Sequence, residues 1–127
     1  MIQIEKLTKS FGDLQVLKGV DLTIEKGEVI SIVGSSGAGK TTLLQLIGTL
    51  DKPTSGTIRF NGEDLGRLSS KRLAAFRNRH IGFVFQFYNL VQNLTAKENV
   101  DLAVQLCDDP MDSRFVLKMV GLEERIN

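Results

Sequence analysis

Residues 34–41 read Gly-Ser-Ser-Gly-Ala-Gly-Lys-Thr, a complete G-x-x-x-x-G-K-[ST] pattern. The glycines let backbone N–H groups turn inward around an anion. Lys40 adds a point charge suited to β- and γ-phosphates, and the Thr41 hydroxyl is a hard oxygen ligand for Mg²⁺. Such a loop needs a strand to deliver it and a helix whose positive amino end meets the phosphates. Both patterns flank it. Val29-Ile30-Ser31-Ile32-Val33 is a β-branched apolar run of the kind buried on both faces of a parallel sheet. Leu43, Leu44, Leu46, Ile47 and Leu50 recur at helical spacing, and Pro53 helps stop the helix.

Before this unit the pattern is different. Ile2-Gln3-Ile4-Glu5-Lys6-Leu7 begins with period-2 alternation, Ser10-Phe11-Gly12-Asp13 reads as a turn, and Val20, Leu22 and Ile24 alternate with polar residues. A small antiparallel β-layer is therefore expected ahead of the parallel element. Downstream, Thr57-Ile58-Arg59-Phe60 alternates and is closed by Asn61-Gly62, a strong hairpin signal. A helix is expected over residues 69–79, capped by Ser69 or Ser70, with Leu73 and Phe76 inward. Residues 80–85 read as a second buried strand and 86–94 as a loop. Thr95-Ala96-Lys97-Glu98 has capping-box spacing and opens a helix with Val100, Ala103, Val104 and Cys107 on one face. Asp109-Pro110 starts a last helix, with Val116 and Val120 inward and Gly121 as cap.

With 127 residues, 42% hydrophobic and 24% charged, one soluble domain with a real core is expected. A net charge of +1 argues against a dedicated nucleic-acid binder. Cys107 is the only cysteine, most simply a small core residue, so no intrachain disulfide is expected. No apolar run approaches the ~18 residues of a membrane span, and the amino terminus lacks a secretory pattern. A cytosolic location follows as an expectation, with any membrane link made through a partner. Arg67, Lys71, Arg72, Arg77, Arg79 and His80 form a basic cluster that reads either as a solvated helix face or as a docking edge. The aromatic group Phe83, Phe85, Phe87 and Tyr88 reads mostly as core.

Together these residues resemble the ATP-binding subunit of an ABC transporter. Residues 34–41 match its Walker A motif. Thr8-Lys9-Ser10-Phe11-Gly12 is similar to its A-loop, with Phe11 where tyrosine is more usual, and Ile81-Gly82-Phe83-Val84-Phe85-Gln86 resembles the strand entering its Q-loop. Asp51-Lys52-Pro53-Thr54-Ser55-Gly56-Thr57-Ile58 resembles the stretch after the Walker A helix. Phe76 to Gln86, with Asn89-Leu90 and Leu94 to Val100, resembles the lipoprotein-releasing and macrolide-exporter type. The resemblance implies an α/β P-loop NTPase (ABC ATPase) fold, a small antiparallel β-layer plus a parallel-sheet core.

It also implies site residues. Phe11, Val16, Gly34, Ser35, Ser36, Gly37, Ala38, Gly39, Lys40, Thr41 and Thr42 would bind ATP. Thr41 and Gln86 would ligate Mg²⁺, and Lys40 and Gln86 would act in catalysis. The implied partners are a membrane permease subunit at the Q-loop region, where Phe87, Tyr88 and Leu90 lie, and a second ATP-binding subunit in a homodimer. No nucleic acid is expected. The family's Leu-Ser-Gly-Gly-Gln signature, its Walker B strand and its switch histidine have no counterpart in the 127 residues; His80 precedes the Q-loop strand. The resemblance thus covers the N-terminal part of one such domain, stopping before the signature helix. Nucleotide binding without meaningful turnover is the expectation, and unpaired strand edges predict self-association or marginal stability. A half-domain completed by another chain, a P-loop kinase-like enzyme and a nucleic-acid protein are the competing readings.

Overall fold

Strands that find a partner across a two-residue turn form without help from distant chain, and those are the strands this protein builds. The computed structural model describes residues 1–126, in two compact units: Met1–Arg77 and a second that begins at Asn78. In the first, β1 (Ile2–Phe11) and β2 (Leu14–Ile24) form an antiparallel hairpin closed by Gly12-Asp13, with Gly12 at φ 58°. The strand pattern therefore runs through Phe11, and the turn is two residues shorter than the sequence suggests. A second hairpin joins β3 (Ser55–Phe60) to β4 (Glu63–Asp64). Its turn is Asn61-Gly62, both at positive φ, as the expected turn chemistry requires. The sheet order is β2-β1-β3-β4, antiparallel throughout.

The register is broken by bulges that position later features. Lys9 pairs with Leu17 and Ser10 with Gln15, so Val16 is an extra residue on β2. Near the middle of β1, Glu5 pairs with Thr57 and Thr8 with Ser55, so Lys6 and Leu7 face the single residue Gly56 on β3. Lys6 adopts φ 48° there, and its amide donates to Asp21 Oδ1 at 2.8 Å. One face of the sheet carries Ile4, Leu7, Leu17 and Ile58 onto Leu43 and Leu46 of helix α1 (Lys40–Ile47), with Leu65 completing the core. Helix α2 (Ser70–His80) adds Leu73 and Phe76, and Phe76 meets Phe60 edge-on at 5.0 Å. Leu44 and Leu50, predicted with the helical apolar set, are exposed.

The two predicted parallel strands are the main correction. Residues 29–33 and 81–85 have no ladder pairing among the described residues, His80 ends helix α2 instead of opening a strand, and the sheet contains no parallel pair. Ile32 packs against the core, yet Val29 is 95% and Val33 86% exposed. β-branched composition suits a strand, but a strand needs hydrogen-bonded neighbours, and a parallel neighbour comes from distant chain. Phe85, Phe87 and Tyr88 are likewise exposed, not core, although Phe83 and Phe85 stack at 5.5 Å.

The second unit carries α3 (Ala96–Val104) and α4 (Ser113–Met119). Thr95 caps α3 with the predicted box: Glu98 N donates to Thr95 Oγ1 at 3.2 Å, and Thr95 N to Glu98 Oε2 at 2.8 Å. Thr95→Ala is expected to cost the second unit about 1 kcal/mol, read as faster amide exchange in the first turn of α3. Those Thr95 amide and hydroxyl bonds hold the Glu98 carboxyl below its usual range. Its half of the cap is therefore present at neutral pH and lost as pH falls through the lowered value.

Asn99 closes the preceding loop, accepting from Val91 N and donating to the carbonyls of Val91, Leu94 and Thr95. Three details differ from expectation here. Helix α4 starts at Ser113 with Asp112 as cap, not at Pro110, because the Asp112 carboxylate accepts from Phe115 N at 2.9 Å. Cys107 is exposed. Val120 is exposed too, and Leu117 fills the buried position instead. Gly121, at φ 76°, ends α4 as predicted, with Gly121 N bonded to Lys118 O and Leu122 N to Leu117 O.

Candidate nucleotide-binding site

Helix α1 begins at Lys40, and its cap residue is Gly39 at φ 94°. No side chain caps this end, so the first-turn N–H groups of α1 have no side-chain partner. Gly37 is also at positive φ (79°), and Ala38 N bonds Ser35 O at 3.2 Å, which curls the loop into a turn. Lys40 folds back over that turn and donates to the carbonyls of Gly34 and Ser35, the latter at 2.8 Å. The ammonium is thereby held at the loop's mouth, beside the positive end of the helix. Thr41 is exposed one residue further on, and Thr42 half-buried behind it.

The glycine at the cap is dictated by packing as well as by φ. A Cβ on Gly39 would lie 3.0 Å from Val16 Cγ1 and 3.0 Å from Leu17 Cδ2. The bulge at Val16 turns that side chain onto the loop while Leu17 enters the core. Leu14, the partner of Phe11, precedes Val16 by two residues, about 7 Å of strand. Phe11 thus presents a half-exposed ring at a hairpin tip whose base touches the loop.

Two supporting residues were not among the sequence candidates. Lys9 binds Asp51 Oδ2 at 2.9 Å and the Lys52 carbonyl at 2.7 Å, and its ammonium lies 5.0 Å from the centre of the Phe11 ring. This hydrogen bond holds the Asp51 carboxyl below its usual range. Arg77 donates to the Thr49 carbonyl at 2.8 Å, at the end of α1, which has no basic residue of its own in its last turn. It complements the negative end of that helix from outside. Period 2 along β1 is the sequence signal for Lys9 beside Phe11; nothing local signals Arg77.

Of the basic cluster, Arg67 pairs with Asp64, Arg72 with Glu63 and Arg79 with Asp108. Gln86 is exposed and belongs to the second unit. Among the described residues no group of three or more His, Cys, Asp or Glu converges. The Thr41 hydroxyl is a hard oxygen of the kind that magnesium takes. No helix among the described residues is long and apolar enough to cross a membrane.

Residues 17–127 match the family described as ABC transporter. The chain is 54% identical to the lipoprotein-releasing system ATP-binding protein LolD of Bacteroides fragilis, over 98% of this chain and 60% of that protein. It is 62% identical to LolD of Bacteroides thetaiotaomicron over 79% of this chain and 46% of that one. The solved dimer of the ATP-binding cassette MJ0796, in a post-hydrolysis state bound to ADP and Pi, superposes with a TM-score of 0.84 at 40% identity. That match covers 99% of this chain and 60% of the cassette. The chain thus spans at most about 60% of the length of these relatives.

Proposed function

The chain belongs to the ABC transporter family, and we propose that it binds Mg-ATP as part of the nucleotide-binding subunit that energises a membrane partner. One observation carries this reading: the Lys40 ammonium is held over loop 34–41 beside an uncapped helix start. The backbone from Gly34 to Gly39 wraps the β-phosphate, Lys40 neutralises the β- and γ-phosphates, and Thr41 offers its hydroxyl to the metal. Thr42 closes the phosphate side, and Phe11 and Val16 take the base. Bound magnesium would supply charge neutralisation across the phosphates.

Turnover is a separate matter. Hydrolysis needs an oriented water as well as positioned phosphates. The 127 residues carry no signature sequence and no Walker B strand to supply that water's partner. We therefore assign binding without meaningful hydrolysis to this chain by itself. The partners are a permease subunit and a second ATP-binding subunit. Exposed Phe87, Tyr88 and Leu90 in the Q-loop region support the first, and the dimeric state of the similar cassette supports the second. Similarity to LolD favours lipoprotein release as the work done, at the cytoplasmic face of the cell membrane.

Calorimetric titration with Mg-ATP tests the core of this reading. The expected result is saturable binding with Kd below about 1 mM, a free energy of more than about 4 kcal/mol, and no phosphate release above background. Absence of heat at millimolar ATP overturns the binding assignment. Steady phosphate release that disappears in Lys40→Ala overturns the assignment of no turnover.

A further inference from the structure

Phe11 is a ring without a hydroxyl at the tip of a two-residue hairpin, 51% exposed. Nothing in its own side chain fixes its orientation. The residue that does is two positions earlier on β1, where strand alternation puts side chains on one face. The Lys9 side chain is only 12% exposed, unusual for a lysine so near a hairpin end. Its ammonium has three protons and three partners in reach: the Asp51 carboxylate, the Lys52 carbonyl and the face of the Phe11 ring. Two oxygens locate the charge, and the located charge holds the ring by its negative π face.

We infer that Lys9 is a positioning residue for the nucleobase: it closes one face of Phe11 and leaves the other as the single platform on which adenine stacks. This rests on the ATP-binding reading above. The geometry also ties base to phosphate. Asp51 and Lys52 directly follow the turn that ends α1, and α1 carries Lys40 and Thr41 at its other end. Lys9 therefore sets the platform relative to the helix that meets the phosphates. Stacking is sequence-tolerant because every base has a π face, so the contribution is to affinity for the base, not to choice among purines.

The test separates base from phosphate. Affinities for Mg-ATP and for magnesium tripolyphosphate, which lacks a base, are measured on the full chain as wild type, Lys9→Met and Phe11→Ala. Lys9→Met keeps the packed stem and removes the charge. It is expected to weaken ATP about fivefold, within the range set by loss of base–aromatic stacking, and to leave tripolyphosphate unchanged. The double variant is expected to bind ATP no more weakly than Phe11→Ala alone. Lys9→Arg, which keeps the cation, is expected to restore the wild-type ratio. If Lys9→Met fails to fold, Asp51→Asn loosens the anchor and is expected to lower the ATP-to-tripolyphosphate ratio about twofold. A ratio unchanged in these variants, or equal weakening of both ligands, overturns the inference while leaving ATP binding intact. A wild-type chain that binds tripolyphosphate as tightly as ATP overturns the base platform itself. Binding of neither ligand removes the ATP reading and this inference together.

Discussion

Lys40→Ala is expected to weaken Mg-ATP binding by about 100-fold or more while moving the melting midpoint of the ligand-free chain by no more than about 2 °C. The two halves of this expectation have separate causes. The Lys40 ammonium donates to the Gly34 and Ser35 carbonyls at the loop's mouth and takes no part in the core formed by Leu43, Leu46 and the sheet. Its loss leaves helix α1 packed through the same leucines. Bound phosphate offers the ammonium charged acceptors in place of neutral carbonyls, and each such bond contributes about 1.5–3 kcal/mol. Two of them, partly offset by the carbonyl bonds given up, correspond to about two decades in affinity. Calorimetry on both proteins checks the affinity and differential scanning checks the midpoint. Unchanged affinity means that the nucleotide is not held by this loop; a collapsed midpoint means that Lys40 is structural.

Local chemistry accounts for most of what the sequence made legible. The phosphate loop, the Asn61-Gly62 turn, the Thr95 capping box and the Gly121 helix end each depend on residues within six positions of one another. The turn and cap geometries follow from those residues alone; the phosphate loop also needs Val16 and Leu17 packed against Gly39. Most of the failures are non-local. Val29-Ile30-Ser31-Ile32-Val33 has the composition of a buried strand, yet burial comes from neighbours, and composition cannot supply them. Cys107 and Val120 fall on helical stripes in the sequence, but α3 ends at Val104 and α4 at Met119, and both residues face solvent beyond those ends. Asp112 outcompeted Pro110 as the start of α4, since a carboxylate can satisfy an orphan N–H and a proline only tolerates its absence. Within the candidate site, Val16 was named through resemblance alone; the bulge that aims it at Gly39 depends on how β2 pairs with β1. Lys9 and Arg77 were named only within the A-loop segment and the basic cluster, because the oxygens that anchor them lie 42 or more and 28 residues away, respectively.

Gly56→Ala is expected to be the most damaging small substitution in the first unit, lowering its stability by about 3 kcal/mol or more. The Gly56 φ of +90° is a conformation that residues with a Cβ rarely adopt. An added Cβ would also lie 2.4 Å from the Lys6 carbonyl oxygen and 2.6 Å from Leu7 Cα. Both are backbone atoms of β1, so no side chain can swing aside. Nor can β1 shift, because it is the strand between β2 and β3, and its Lys6 bulge is tied to Asp21 on the other side. Gly62→Ala is the control. Its φ of +85° is nearly the same, but a Cβ there meets nothing within 4 Å, so only the backbone strain of about 1–2 kcal/mol remains. Urea denaturation of both variants therefore separates strain from collision. Equal losses would show that the contact with Lys6 and Leu7 relaxes at no cost. A larger loss in Gly56→Ala would place the collision on β1, the strand whose far end carries Lys9 and Phe11. In that case the residual folded fraction should also show a lowered affinity ratio of ATP to tripolyphosphate, which Gly62→Ala should leave unchanged.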